Sequence, residues 1–168
     1  KMTGIDFLKI LMKQCPVPVI VFSAHTKSNS SLLQKAYDLG AINVVDKPIC
    51  NVNKFEAYIE ENLFSIIPDS INKFVQGGHK KNKYFQNRNN KQLLPGELSN
   101  INSNDIQVLI VDDSDSARNT LQQIIKGYDG INVMGIAIDP YMATEIIKKH
   151  RPDVILLGIE MPKMDGIT

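Results

Sequence analysis

Five short apolar runs, most of them rich in β-branched residues, constrain this chain more than any other feature. They are Pro18-Val-Ile-Val-Phe22, Ala41-Ile-Asn-Val-Val45, Val108-Leu-Ile-Val111, Ile131 to Ile138 and Val154-Ile-Leu-Leu157. Continuous apolar runs of this length mark strands covered on both faces, as in parallel sheets. Between them the apolar residues change to helical spacing. Phe7, Leu8, Ile10, Leu11 and Met12 form one such face, and Leu32, Leu33, Ala36 and Leu39 a second. Phe55, Ile59 and Leu63 form a third, Ala117, Leu121, Ile124 and Ile125 a fourth, and Ala143, Ile146 and Ile147 a fifth. Pro16 and Pro18 stop the first helix, and Gly40 stands where a helix C-terminal cap belongs. Asp46-Lys-Pro48 breaks the second strand, and Gly127 and Gly130 bracket a turn. Asp139-Pro140 reads as an N-cap followed by proline in the first turn. The order is helix, strand, helix, strand, helix, then strand, helix, strand, helix, strand. It predicts an α/β fold with a doubly wound, five-stranded parallel sheet and helices on both faces.

Composition divides the chain into three parts. Residues 1–67 and 106–168 hold the patterned segments. Residues 68–105 are rich in Asn, Lys, Gln, Ser and Gly, and carry no acidic residue between Asp69 and Glu97 while Lys73, Lys80, Lys81, Lys83, Arg88 and Lys91 are basic. Such a stretch buries too little apolar surface to offset its ordering entropy and reads as a linker. A sharper alternative is a basic contact surface with Tyr84 and Phe85 as stacking groups for nucleic acid. Two adjacent aromatics are a thin signal, and the net charge of +1 gives no steering toward nucleic acid, which is not an expected partner. The chain is 43% hydrophobic and 22% charged, ordinary for a globular protein. Cys15 and Cys50 have no metal-type spacing, and so few cysteines make a reducing cytoplasm the default. No apolar run reaches membrane-spanning length. A first residue that is Lys1 rather than Met is what a fragment or processed product shows.

In parallel α/β sheets chemistry gathers in the crevice at the carboxyl ends of the strands. The polar residues obey that rule. Asp112 and Asp113 end one strand, Ser23 ends another, and Lys47 follows a third. Adjacent carboxylates can hold a hard divalent cation such as Mg²⁺. A lysine and a hydroxyl can bind phosphoryl oxygens, and together with a carboxylate nucleophile they make an aspartyl-phosphate site. The blander readings are that the acidic pair caps the next helix and that Lys47 is a surface lysine before a turn.

The motifs also carry a resemblance. Val108-Leu-Ile-Val-Asp-Asp-Ser114, Arg151-Pro-Asp-Val-Ile-Leu-Leu157 and Met161-Pro-Lys-Met-Asp-Gly166 resemble the first half of a two-component response-regulator receiver. Lys1-Met-Thr-Gly-Ile-Asp6, Pro18-Val-Ile-Val-Phe-Ser-Ala24, Leu39-Gly-Ala41 and Asp46-Lys-Pro48 resemble the second half, in detail most like receivers of chemotaxis methylesterases. The resemblance implies a flavodoxin-like receiver assembled from two half-domains in inverted order. It implies Mg²⁺ held by Asp112, Asp113 and the backbone carbonyl of Glu160, with Ser23 and Lys47 on the phosphoryl group. It implies a module that is not itself an enzyme and that takes phosphoryl from a histidine kinase. It places the switch aromatic at Val44, which is not aromatic.

At the acceptor position, four residues before Pro162, stands Gly158. Glycine offers no nucleophile and withdraws a metal ligand, so phosphorylation is not expected of the chain as written and Mg²⁺ binding should weaken. Glu160, longer and two residues on, is expected to point elsewhere. A phosphorylation-independent interaction module is the alternative function. Lys1-Met-Thr-Gly-Ile5 and Lys163-Met-Asp-Gly-Ile167 are near copies of one element. A receiver of about 120 residues with a linker of about 40 fits their separation. That suggests the back half of one receiver (1–67), a linker (68–105) and the front half of another (106–168). Neither half buries its strands alone, so the first part is expected to complete the third, within one chain or by exchange with a second copy.

Overall fold

A computed structural model describes residues 2–23, 30–47, 52–77 and 105–160. The elements follow in the order α1 (Gly4–Gln14), β1 (Val19–Ser23), α2 (Ser30–Asp38), β2 (Asn43–Asp46), α3 (Val52–Gln76), β3 (Ile106–Val111), α4 (Asp115–Lys126), β4 (Ile131–Ala137), α5 (Pro140–Lys149) and β5 (Val154–Gly158). Helix α1 opens on a capping box. The Thr3 hydroxyl accepts from the Asp6 N–H at 3.2 Å while the Asp6 carboxylate accepts from the Thr3 N–H at 3.1 Å, so two otherwise orphaned donors are satisfied reciprocally. Helix α5 starts at the expected N-cap, with Asp139 Oδ1 accepting from the Met142 N–H at 2.8 Å and proline in the first turn. Past α2, Gly40 takes φ 103°, which L side chains rarely adopt. Its N–H reaches Tyr37 O and that of Ala41 reaches Ala36 O, the paired closure of a Schellman turn.

Helix α3 departs from expectation. Composition placed the edge of the linker after Ile67, yet the helix runs through Pro68 to Gln76. The cause is packing, because Ile67, Ser70 and Phe74 continue one buried face at three- and four-residue spacing. The side chains of Phe55 and Ile59, and residues 78–104 with Tyr84 and Phe85, lie outside the described residues, as do Cys50 and residues 161–168.

All pairings in the sheet are parallel, and its order is β2-β1-β5-β3-β4. Strand β1, from the first part of the chain, pairs with β5, from the third, in the register Val19↔Ile155 to Phe22↔Gly158. The two parts therefore complete one sheet within a single chain. With the third part counted first, the strands stand in the order 2-1-3-4-5, the flavodoxin-like arrangement. Alternate residues of each strand face opposite sides. Val19, Val21, Leu109, Val111, Ile155 and Leu157 meet α1, α2 and α5 in one core. Ile20, Phe22, Val108, Ile110, Val154 and Leu156 meet α3 and α4 in the other. The ring of Phe64 in α3 stacks on Tyr128, just past α4, and ties the two parts together on that face.

The amino ends of the strands are tied by a polar clasp. The buried Asp153 carboxylate accepts from the Gln107 N–H at 2.7 Å, and the Asp153 N–H donates to Gln107 O at 2.8 Å. Asn132 Nδ2 donates to Gln107 Oε1 at 2.9 Å. This ties together the amino ends of three strands.

Candidate functional site

At the carboxyl edge, β3 leads into Asp112 and Asp113, β1 ends at Ser23, β2 is followed by Lys47 and β5 ends at Gly158. Helix α4, which follows β3, packs on one face of the sheet and α2, which follows β1, on the other, with β5 between those two strands. The crevice lies at that reversal, where ligands bind in open α/β sheets.

Asp112 is held on every polar atom. Its N–H donates to Ala137 O at 3.1 Å, and its carbonyl accepts from Arg118 Nη1 at 2.6 Å. Its Oδ1 accepts from the Ser114 N–H at 3.0 Å, and its Oδ2 forms an ion pair with Lys47 Nζ. The Asp112 side chain is 2% exposed and that of Lys47 17%. Lys47 belongs to the first part of the chain and Asp112 to the third, so the ion pair joins the two parts. Arg118 went unnoticed in the sequence. Its signal was a charged residue three before Leu121 and seven before Ile125, on the helix face that turns inward. It also pairs with the exposed Asp115. The helix after the acidic pair is capped by Ser114, whose hydroxyl accepts from the Ala117 N–H, and not by either aspartate.

Gly158 explains the pose of Asp112. A Cβ on residue 158 would come within 2.3 Å of Asp112 Oδ2 and 2.8 Å of its Cγ. The carboxylate thus occupies the space that a side chain at 158 would need. Ser23, expected to face the acidic pair, donates its hydroxyl to Glu160 Oε1 at 3.2 Å. Glu160, expected to point elsewhere, instead brings Oε1 to the Ser23 hydroxyl at the end of the neighbouring strand β1. Burial, and next the charge of Asp112, push the Asp113 carboxyl above its ordinary value, opposed by Lys47 and Arg118. Val44, at the position expected for the switch aromatic, packs half-buried against the core.

These groups fit a divalent cation poorly. One Asp112 oxygen faces an ammonium and the other a backbone N–H, and residue 158 contributes no side-chain oxygen. Among the described residues no three Asp, Glu, His or Cys side chains gather as a metal would require.

The sheet order and the polar strand ends define a flavodoxin-like receiver fold. Residues 108–168 match the family described as the response regulator receiver domain. The chain is 52% identical over 63 residues to protein-glutamate methylesterase/protein-glutamine glutaminase 2 of Shewanella sp. (strain MR-4). It is 56% identical over 63 residues to the same-named protein of Rhodospirillum rubrum and 52% identical over 63 residues to protein-glutamate methylesterase/protein-glutamine glutaminase of Hydrogenovibrio crunogenus. Each match covers 38% of this chain and 17 to 18% of the relative. The chain thus spans less than a fifth of the length of these relatives. No solved structure matches it at a significant level. Among the described residues no helix is long and apolar enough to cross a membrane.

Proposed function

We propose that the chain is a receiver module of a two-component phosphorelay that docks a histidine kinase but does not itself take the phosphoryl group. The observation that carries this reading is the Lys47–Asp112 ion pair beside Gly158. Lysine, hydroxyl and acidic pair sit at the strand ends where a receiver uses them, while the acceptor position has no nucleophile. Ser23, Lys47, Asp112 and Asp113 then keep the shape of the pocket, and Mg²⁺ binding, through Asp113 and the Glu160 carbonyl, is weak. Docking on such a surface is independent of phosphorylation.

The domain reading goes with it. Residues 1–76, through the end of α3, are the back half of a receiver and 106–168 the front half of another, joined by a basic linker, and a second copy of the chain can exchange halves with the first. The kinship with methylesterases suggests chemotaxis signalling in the cytoplasm as the setting, with any output activity lying outside the receiver fold.

The test is binding to histidine kinases of the chemotaxis class, measured with and without Mg²⁺ and acetyl phosphate. The expected result is one affinity under all conditions and no phosphoryl on this chain. Binding that appears only with a phosphodonor, or phosphoryl transfer to this chain, refutes the reading.

A further inference from the structure

We propose that glycine at 158 converts the pocket into a self-neutralised lock, in which the ammonium of Lys47 stands in for the divalent cation at Asp112. The inference rests on reading this crevice as a receiver pocket, and goes beyond it by assigning the charge balance to the chain's own residues.

The argument is one of space and of charge. The Asp112 carboxylate lies where the first carbon of any side chain at 158 would be, with 2.3 Å to Oδ2. Only glycine permits this pose. In it Oδ2 meets Lys47 Nζ and Oδ1 accepts from the Ser114 N–H, while Arg118 and Ala137 hold the backbone of the same residue. A carboxylate this buried needs a counter-charge, and Lys47 supplies it from another strand end. A dication at Asp112 would have to approach against that ammonium at contact distance, where like charges repel strongly. It would also lack the carboxylate that a residue 158 with a side chain could offer. Lysine and cation are therefore alternatives at one carboxylate, and residue 158 selects between them. Glycine selects lysine. Aspartate at 158 would push Asp112 out of the shared space, give Lys47 a second carboxylate to pair with, and free Asp112 for a metal.

The experiment is a Mg²⁺ titration of the full chain followed by the amide resonances of residues 112–114 and by Tm. The parent should show only weak, non-saturating movement of these resonances and no rise in Tm. Lys47→Gln removes the ammonium and should bind Mg²⁺ at least about tenfold more tightly, the effect of lifting one positive charge from contact with the carboxylate. Lys47→Arg keeps the charge and should stay unresponsive, and Gly158→Asp should gain Mg²⁺ binding. A parent that binds Mg²⁺ as tightly as Lys47→Gln overturns the proposal, and so does a folded Lys47→Gln that gains nothing. If Lys47→Gln does not fold, Gly158→Asp decides, since equal binding by it and the parent overturns the lock. The receiver reading fails separately. Gly158→Asp that gains Mg²⁺ but takes no phosphoryl from acetyl phosphate refutes the receiver pocket and leaves the lock standing.

Discussion

Adding a single methyl group at residue 158 should destabilise this chain, although the same change is harmless in most strands. Gly158 has no positive φ, so alanine meets no backbone strain there. Alone, its lower unfolded-state entropy would stabilise the fold by about 0.4–1 kcal/mol. The new Cβ would, however, stand 2.3 Å from Asp112 Oδ2 and 2.8 Å from its Cγ. Asp112 must swing away and give up both the Lys47 ion pair and the Ser114 N–H. Hydrogen bonds to charged groups contribute about 1.5–3 kcal/mol each, and Lys47, at 17% exposure, recovers part of that loss from water. The net cost should be about 2–4 kcal/mol, a lowering of Tm by roughly 6–12 °C in a chain of this size. Urea denaturation and thermal melting of Gly158→Ala measure it. In an Asp112→Ala background the clash is gone, and the same substitution should be neutral or slightly stabilising. Gly158→Ala as stable as the parent, or equally costly with and without Asp112, would refute the shared-space argument.

Gly4→Ala should weaken the seat of α1, because a Cβ there would lie 2.7 Å from Gly158 O and 2.9 Å from Ile159 O, backbone atoms that cannot step aside. Overpacking of this kind costs about 1–3 kcal/mol in urea denaturation. Thr3→Ala should cost about 1 kcal/mol through loss of the capping box. The Thr3 hydroxyl and then its N–H hold the Asp6 carboxyl below the ordinary value. That contribution is present above the unfolded carboxylate's pKa and is lost as pH falls through the lower folded one, so the gap between parent and Thr3→Ala should narrow in acid. Asp113 runs the other way. Its raised folded value means that stability is lost as pH rises through it. Asp113→Asn should therefore melt higher than the parent at neutral pH without divalent cations, and an equal or lower Tm would contradict the cause assigned to the shift.

Much of this was legible in the residues because it is local. The apolar runs and the helical spacings report burial on two faces or one. The Asp139-Pro140 cap and Gly40 report backbone needs that other residues meet badly. The clustering of Ser23, Lys47, Asp112 and Gly158 followed from a rule about strand ends. What escaped was decided through space. Helix α3 passes Pro68 because Ser70 and Phe74 find a core to pack on. Asp112 turns toward residue 158 because no side chain stands there, and Glu160 meets the Ser23 hydroxyl because Ser23 ends the neighbouring strand. None of these partners is near in sequence. The Thr3-x-x-Asp6 box was the exception, since its spacing was visible and its meaning depended only on the helix that follows.

The central claim is that a receiver pocket survives here around a missing nucleophile. Incubation with acetyl phosphate and Mg²⁺, followed by intact-mass measurement of the parent and of Gly158→Asp, tests it most directly. The account predicts no phosphoryl on the parent and one acid-stable, base-labile phosphoryl group on Gly158→Asp, lost again when Lys47 is changed to Gln. Phosphorylation of the parent, or a folded Gly158→Asp that stays unmodified, would contradict it.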